Sequence, residues 1–202
     1  GYCFSLASGT DQICQVYWGA EHRFKTLKTP TCISFNQKQE FKYFGYDAVM
    51  RYKSLPSSQA DSWYFFQNFK MQLYRLQHVT LGLCFVEWHN WHGAEASNGK
   101  LLPAFRIFSE SLCYLKEHAL NTIKEASFQT VYDQEEITWV ITVPAICSTA
   151  AKPFMHLAAK EVKAGVTPFP QITFGGIISD MLSENLIIAL EPEAALLWCK
   201  QL

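Results

Sequence analysis

The sequence predicts an α/β fold, with an antiparallel meander followed by a parallel βαβα unit in a mixed sheet flanked by helices. Three observations carry this reading. The first 46 residues break into short aromatic and β-branched runs separated by turn residues. The middle holds a long stretch with one apolar stripe at helical spacing. The last third alternates two nearly continuous apolar runs with helical segments, as parallel strands joined by a crossover helix do.

Residues 2–6, 13–18, 32–35 and 41–44 are the runs of the meander. Ser8-Gly9-Thr10-Asp11 and Asn36-Gln37-Lys38-Gln39 supply hairpin turns. Pro30 stands outside the ladder because it lacks an N–H. A helical stretch begins at Asp47 and runs to Tyr52. Ser58 reads as the N-cap of a helix reaching Leu73, with Trp63, Phe66 and Lys70 on one face and Phe65 and Phe69 on the next row. Residues 79–88 are apolar and short, and are read as a strand. Asn98-Gly99 marks a turn. From Pro103 to Ala126, the residues Phe105, Phe108, Leu112, Leu115, Ala119 and Ile123 step by three or four, which predicts one long helix. Residues 138–143 read as a strand covered on both faces. A helix follows from Ser148 or Thr149 to Lys160, then a loop over 165–184, a second buried strand over 186–190, and a helix from Pro192. This order is one half of a ribonuclease-H-like sheet.

The 202 residues suit one domain with a sizeable core or two small lobes. Hydrophobic residues make up 49% and charged residues 17%, which excludes an intrinsically disordered chain. A net charge of −1 gives no general attraction to nucleic acid or anionic lipid, and the basic residues are scattered. No apolar run reaches the ~20 residues that span a bilayer. The seven cysteines include no C-x-x-C pair and read as buried free thiols in a reducing compartment. Aromatics reach 15%, so part of the surface is expected to pack on something else. Gly1 in place of Met, and a last helix that reads as cut short, predict a piece of a longer polypeptide.

Two places could carry chemistry. Glu191 ends a buried strand, with Pro192 and Glu193 in the first turn of the next helix. Ligands of open α/β sheets bind outside the carboxyl ends of strands, although a helix start with a capping acid is the plainer account. Pro144 ends the other buried strand, again at its carboxyl edge, with Lys152 eight residues on. Both strands of one βαβ unit thus end in special residues on the same edge. His89 and His92, near Glu87, Trp88 and Trp91, have a spacing that two metal ligands on a helix can share. They lack a third or fourth ligand, so this cluster reads as packing.

The segments 137–146, Ala151-Lys152-Pro153-Phe154-Met155 with Ala158-Ala159, and 186–195 with its Glu191-Pro192-Glu193-Ala194-Ala195 together resemble the heat shock 70 kDa protein family. The likeness is to its 12A/12B branch. Lys28-Thr29-Pro30-Thr31, Phe44-Gly45-Tyr46-Asp47-Ala48, Phe69-Lys70-Met71, Asn98-Gly99-Lys100 and the helix 114–120 match in the same order. Each motif is weak alone; order and spacing over nearly the whole chain carry the resemblance.

The resemblance implies an actin-like ATPase domain of a cytoplasmic, stress-response chaperone, of which this chain would be part of the first lobe. Its core would be 1–50 and 137–202, with an inserted helical subdomain over 51–136. It implies ATP or ADP with Mg²⁺ in the intact protein, and client proteins or cochaperones as partners. Residue by residue, Lys70 matches the lysine that reaches the γ-phosphate and the attacking water. Glu191 matches the acid that holds Mg²⁺ through water. Pro144 matches a relay that reports nucleotide state, and Lys152 stands where better-known members carry an arginine of that relay. Arg and Lys are not interchangeable at a forked contact. The family's Asp-x-Gly-Thr-Thr loop would fall before Gly1, and its second phosphate loop and adenosine pocket belong to the other lobe, so this chain alone is expected to hydrolyse no ATP. Segments 82–96 and 162–181 look longer than the family needs. A catalytically degenerate actin-like scaffold is the alternative reading.

Overall fold

The structure is a computed structural model that describes residues 1–6, 13–71, 73, 93–127, 136–146, 151–163 and 185–199. β1 (Cys3–Ser5) and β2 (Ile13–Gln15) pair antiparallel, with Phe4 opposite Cys14. Trp18 then bridges Thr26 around a 3₁₀ turn at Ala20–His22. β3 (Cys32–Phe35) and β4 (Phe41–Phe44) form the second hairpin. Its turn is held by Asn36, whose Oδ1 accepts the backbone N–H of Lys38 and of Glu40, each at 2.9 Å.

β5 (Tyr64–Gln67) takes the other edge of β3, giving a three-stranded antiparallel sheet in the order β4-β3-β5. The helix expected over 58–73 is therefore not formed. A single helical turn, α2 (Ser57–Ala60), and then β5 and a 3₁₀ turn at Phe69–Met71 stand there. Aromatic spacing imitated a helix, but Tyr64, Phe65 and Phe66 suit a pleated strand, and pairing with β3 decides the outcome. Nor do the four early strands make one meander, because β5 and not β2 lies beside β3.

Alternation along these strands separates two apolar faces. Ile33, Phe35, Phe44 and Phe66 point into the main core. Cys32 and Phe65 point the other way, onto Ala48 of α1 (Gly45–Ser54), with Tyr52 stacked on Phe65 at 4.4 Å. The short hairpin β6 (Gly93–Glu95) and β7 (Leu101–Pro103) leads into α3 (Ala104–Ala126). Pro103 ends β7 and precedes the first helical residue, one position earlier than expected. Of the expected stripe, Phe105, Phe108, Ala119 and Ile123 are buried and Leu112 and Leu115 partly so.

α4 (Ala151–Lys163) packs along α3. Its residues Ala151, Phe154, Met155 and Ala158 are buried at helical spacing. The Phe154 ring meets Phe105 and Phe108 edge-on at 5.7 and 5.3 Å. β8 (Trp139–Val143) and β9 (Leu186–Leu190) pair in parallel on either side of α4, and α5 (Glu191–Cys199) follows, as the βαβα pattern predicts. Among the described residues, one face of this pair is covered. Ile141, Val143, Ile188 and Leu190 join the core, whereas Val140 and Ile187 are 56% and 49% exposed. The expectation of a strand buried on both faces fails at Val140 and Ile187, whose face of the pair is open among the described residues. The molecule is a mixed α/β fold in which, among the described residues, the antiparallel and parallel strands belong to separate sheets. The expected strand at 79–88, the turn at Ser8–Asp11, and His89 and His92 lie outside the described residues.

Candidate functional site

β8 and β9 run in register with Val143 opposite Leu190. The residues that follow, Pro144 and Glu191, therefore stand side by side at the carboxyl edge of the parallel pair. Glu191 is the first residue of α5, so Pro192 occupies the second helical position and not the first. Glu193 reaches back, its Oε2 accepting the Leu190 N–H at 2.9 Å. This is the returning half of a capping box, with the acidic side chain three residues beyond the cap.

Lys70 arrives from another part of the fold. β5 ends at Gln67, and Asn68 takes a left-handed φ of 54°, which asparagine tolerates better than most residues. The Asn68 N–H donates to the Thr31 carbonyl at 2.9 Å, fixing the turn to the start of β3. Phe69 is buried against the edge of Phe108, with ring centres 5.4 Å apart. With Phe69 pointing inward, the next side chain turns out of the core, and Lys70 Nζ donates to Glu191 Oε1. The two side chains are 43% and 44% exposed, a half-open ion pair between residues 121 apart in sequence.

Of the four residues singled out, Lys70 and Glu191 are thus in contact and Pro144 adjoins Glu191 across the strand register. Lys152 is exposed on the second residue of α4. Among the described residues no group of three or more His, Cys, Asp or Glu could cage a metal ion. A cation such as Mg²⁺ keeps several waters and takes one or two carboxylates together with substrate phosphates. The half-exposed Glu191 carboxylate would suit such a cation, and the Lys70 amine beside it a phosphate oxygen.

A separate hollow of about 370 Å³ is lined by Glu21, His22, Tyr43, Asp47, Met50, Arg51 and Ser54. It contains none of the four residues. Within it His22 Nε2 and Asp47 Oδ1 lie 2.6 Å apart. It is a surface trough beside α1, close to the carboxyl end of β4, to which Tyr43 belongs. Sequence reasoning missed the His22–Asp47 pair: Asp47 lies in the quoted segment 44–48, but no spacing relates it to His22.

No family model matches the chain, and no solved structure matches it. Curated proteins do. Heat shock 70 kDa protein 12B of Homo sapiens is 34% identical over 204 residues, which takes in all of this chain and 26% of the relative. Heat shock 70 kDa protein 12A of Mus musculus is 33% identical and that of Homo sapiens 32%, again over the whole chain and 27% of each relative. The chain spans about a quarter of the length of the curated relatives it matches. Along its entire length, then, this chain is a relative of heat shock 70 kDa proteins 12A and 12B.

Proposed function

We propose that this chain is part of the first lobe of a ribonuclease-H-like, actin-like nucleotide-binding domain, with residues 51–136 inserted between core segments 1–50 and 137–202. On this reading the intact protein binds ATP or ADP with Mg²⁺ and serves as a cytoplasmic chaperone acting with client proteins or cochaperones. The observation that carries it is the Lys70–Glu191 contact at the carboxyl edge of β8 and β9. Without a ligand, the ammonium and the carboxylate neutralise each other. With one, each has a stronger partner of opposite charge. Lys70 turns to a terminal phosphate oxygen as a point charge, and Glu191 orients water on the metal. Bound there, Mg²⁺ would neutralise phosphate charge. Pro144 follows β8 directly beside Glu191, where a shift of the strand end would be felt, and Lys152 is its proposed partner in that relay.

Titration calorimetry of the full-length protein with ATP, with and without Mg²⁺, tests the reading. Binding that requires Mg²⁺ and weakens in Glu191→Gln supports it. No binding under either condition removes it and leaves the second reading, a catalytically degenerate scaffold. The uncovered residues Val140 and Ile187, with Ile146 and Leu196 at 67% and 60% exposure, favour that alternative.

A further inference from the structure

The β6-β7 hairpin is tied down by one side-chain amide. Of the asparagines in the sequence, Asn98 alone is followed by glycine. Asn98 Nδ2 donates to the Trp63 and Asp61 carbonyls at 2.7 and 3.1 Å, and the Ala60 carbonyl lies 3.4 Å away. Three acceptors decide which end of the amide faces them, because an oxygen there would meet three others. The backbone of the turn is held as well. The Gly99 N–H donates to the Ala96 carbonyl at 2.9 Å, and the Ala96 N–H to the Lys100 carbonyl at 2.8 Å. The Ser97 N–H donates to the Phe65 carbonyl at 2.9 Å and fastens the hairpin to β5. Gly99 has a φ of +81°, and among the described residues the space beside it is open, with Glu95 Oε1 4.0 Å from where a Cβ would stand.

We propose that Asn98 is a site of spontaneous deamidation that the folded hairpin holds shut, so that the modification records openings of the hairpin and, once made, keeps it from closing. The reaction is intramolecular. The Gly99 backbone nitrogen bonds to Asn98 Cγ, and the Cγ–Nδ2 bond breaks. Ammonia leaves with the proton that the Gly99 nitrogen gives up, and a succinimide ring remains. Water then opens either ring C–N bond. Cleavage at Cγ gives aspartate, and cleavage at the main-chain carbonyl gives isoaspartate. The sum is hydrolysis of an amide to an acid and ammonia, with no oxidant or reductant. Glycine matters because, lacking a Cβ, it leaves its nitrogen uncrowded. In the closed hairpin both reactants are engaged elsewhere. The nitrogen is held through its proton on Ala96, and Cγ through an amide drawn toward the carbonyls of Asp61 and Trp63. The ring forms only after both sets of hydrogen bonds part. The product has no protons for those carbonyls, and its negative charge would face them unpaired. Isoaspartate also adds a methylene to the main chain of the turn. None of this rests on the nucleotide reading, although β5 leads into the turn that presents Lys70.

The test follows the full 202-residue chain at mildly alkaline pH, folded and in guanidinium chloride, with the Asn98 peptide quantified by chromatography and mass spectrometry. We expect conversion in both, slower in the folded chain by at least about tenfold, because several hydrogen bonds must open first. Leu102→Ala removes a β7 side chain that is 3% exposed and weakens the seating of the hairpin. It should raise the folded rate and leave the denatured rate unchanged. Amide protection in β6 and β7 should be at least about tenfold lower in Asn98→Asp than in the parent. Equal rates in the folded and denatured parent overturn the proposal, and so does an Asn98 that stays intact in both. A folded rate that Leu102→Ala does not raise removes the gate. Protection in Asn98→Asp that equals the parent's shows that the acid re-seats, which also overturns it.

Discussion

Replacing Lys70 with methionine separates a structural from a nucleotide-binding role. As a structural ion pair, Lys70 and Glu191 are 43% and 44% exposed, and pairs this open contribute about 0.2–1 kcal/mol. For a chain of this size that is a fall in melting temperature of at most about 4 °C. The methionine stem keeps most of the packing over the 3₁₀ turn, because the anchor there is Phe69 and not Lys70. As a ligand to a terminal phosphate, the ammonium makes a charge-assisted hydrogen bond worth about 1.5–3 kcal/mol. Its loss then weakens ATP binding by about tenfold to about 150-fold. ADP lacks that phosphate, so its affinity should change little. The assay is titration of the full-length protein and its Lys70→Met variant with ATP and ADP, beside a thermal melt. A variant that binds both nucleotides as the parent does, or that loses both equally, would refute the assignment of Lys70 to the terminal phosphate.

Three further outcomes follow from packing alone. Phe154→Ala empties the space between Phe105 and Phe108, where Phe154 is 2% exposed, and should cost about 3–5 kcal/mol in urea unfolding; a cost under about 1 kcal/mol would mean α3 and α4 do not meet there. Asn98→Ala removes an amide that donates to the Trp63 and Asp61 carbonyls at 2.7 and 3.1 Å, and should destabilise by about 1–2 kcal/mol, with early loss of amide protection in β6 and β7. Gly45→Ala places a methyl group 2.1 Å from Thr29 Oγ1 at a φ of +62°; a melting curve should show a loss of at least about 1–3 kcal/mol.

What the sequence made legible was local. The stripe on α3 and the apolar runs of β8 and β9 announce themselves by period and by length, and they stand close to where they were expected. The segment 58–73 did not, because Trp63, Phe66 and Lys70 obey a helical period by coincidence. The competing strand state is stabilised by a partner, β3, some thirty residues earlier. Exposure of Val140 and Ile187 was equally hidden, since an apolar run says that a strand is hydrophobic and not that both its faces are covered. Glu191 was legible as the acid at the carboxyl end of an apolar strand, but Lys70 entered by the family resemblance alone, and no periodicity relates residues 121 apart.

The position of the Lys70–Glu191 contact has its own logic. Lys70 belongs to the turn after the antiparallel sheet β4-β3-β5, and Glu191 to the end of the parallel pair β8-β9. Among the described residues these sheets share no ladder, so side chains carry the connection between them. Most of it is apolar: Phe69 on Phe108, and Phe154 on Phe105 and Phe108, bring both sheets onto α3. Close packing of that kind is stiff, and it sets where the two chain ends emerge. The ion pair at the rim is the weaker link, half solvated and exchangeable. A ligand offering an anion to Lys70 and a hydrated cation to Glu191 would replace one weak link with two stronger ones while leaving the apolar joint intact. Binding at this rim would then register as a change in the spacing of the two sheets' ends, next to Pro144, without unfolding either sheet.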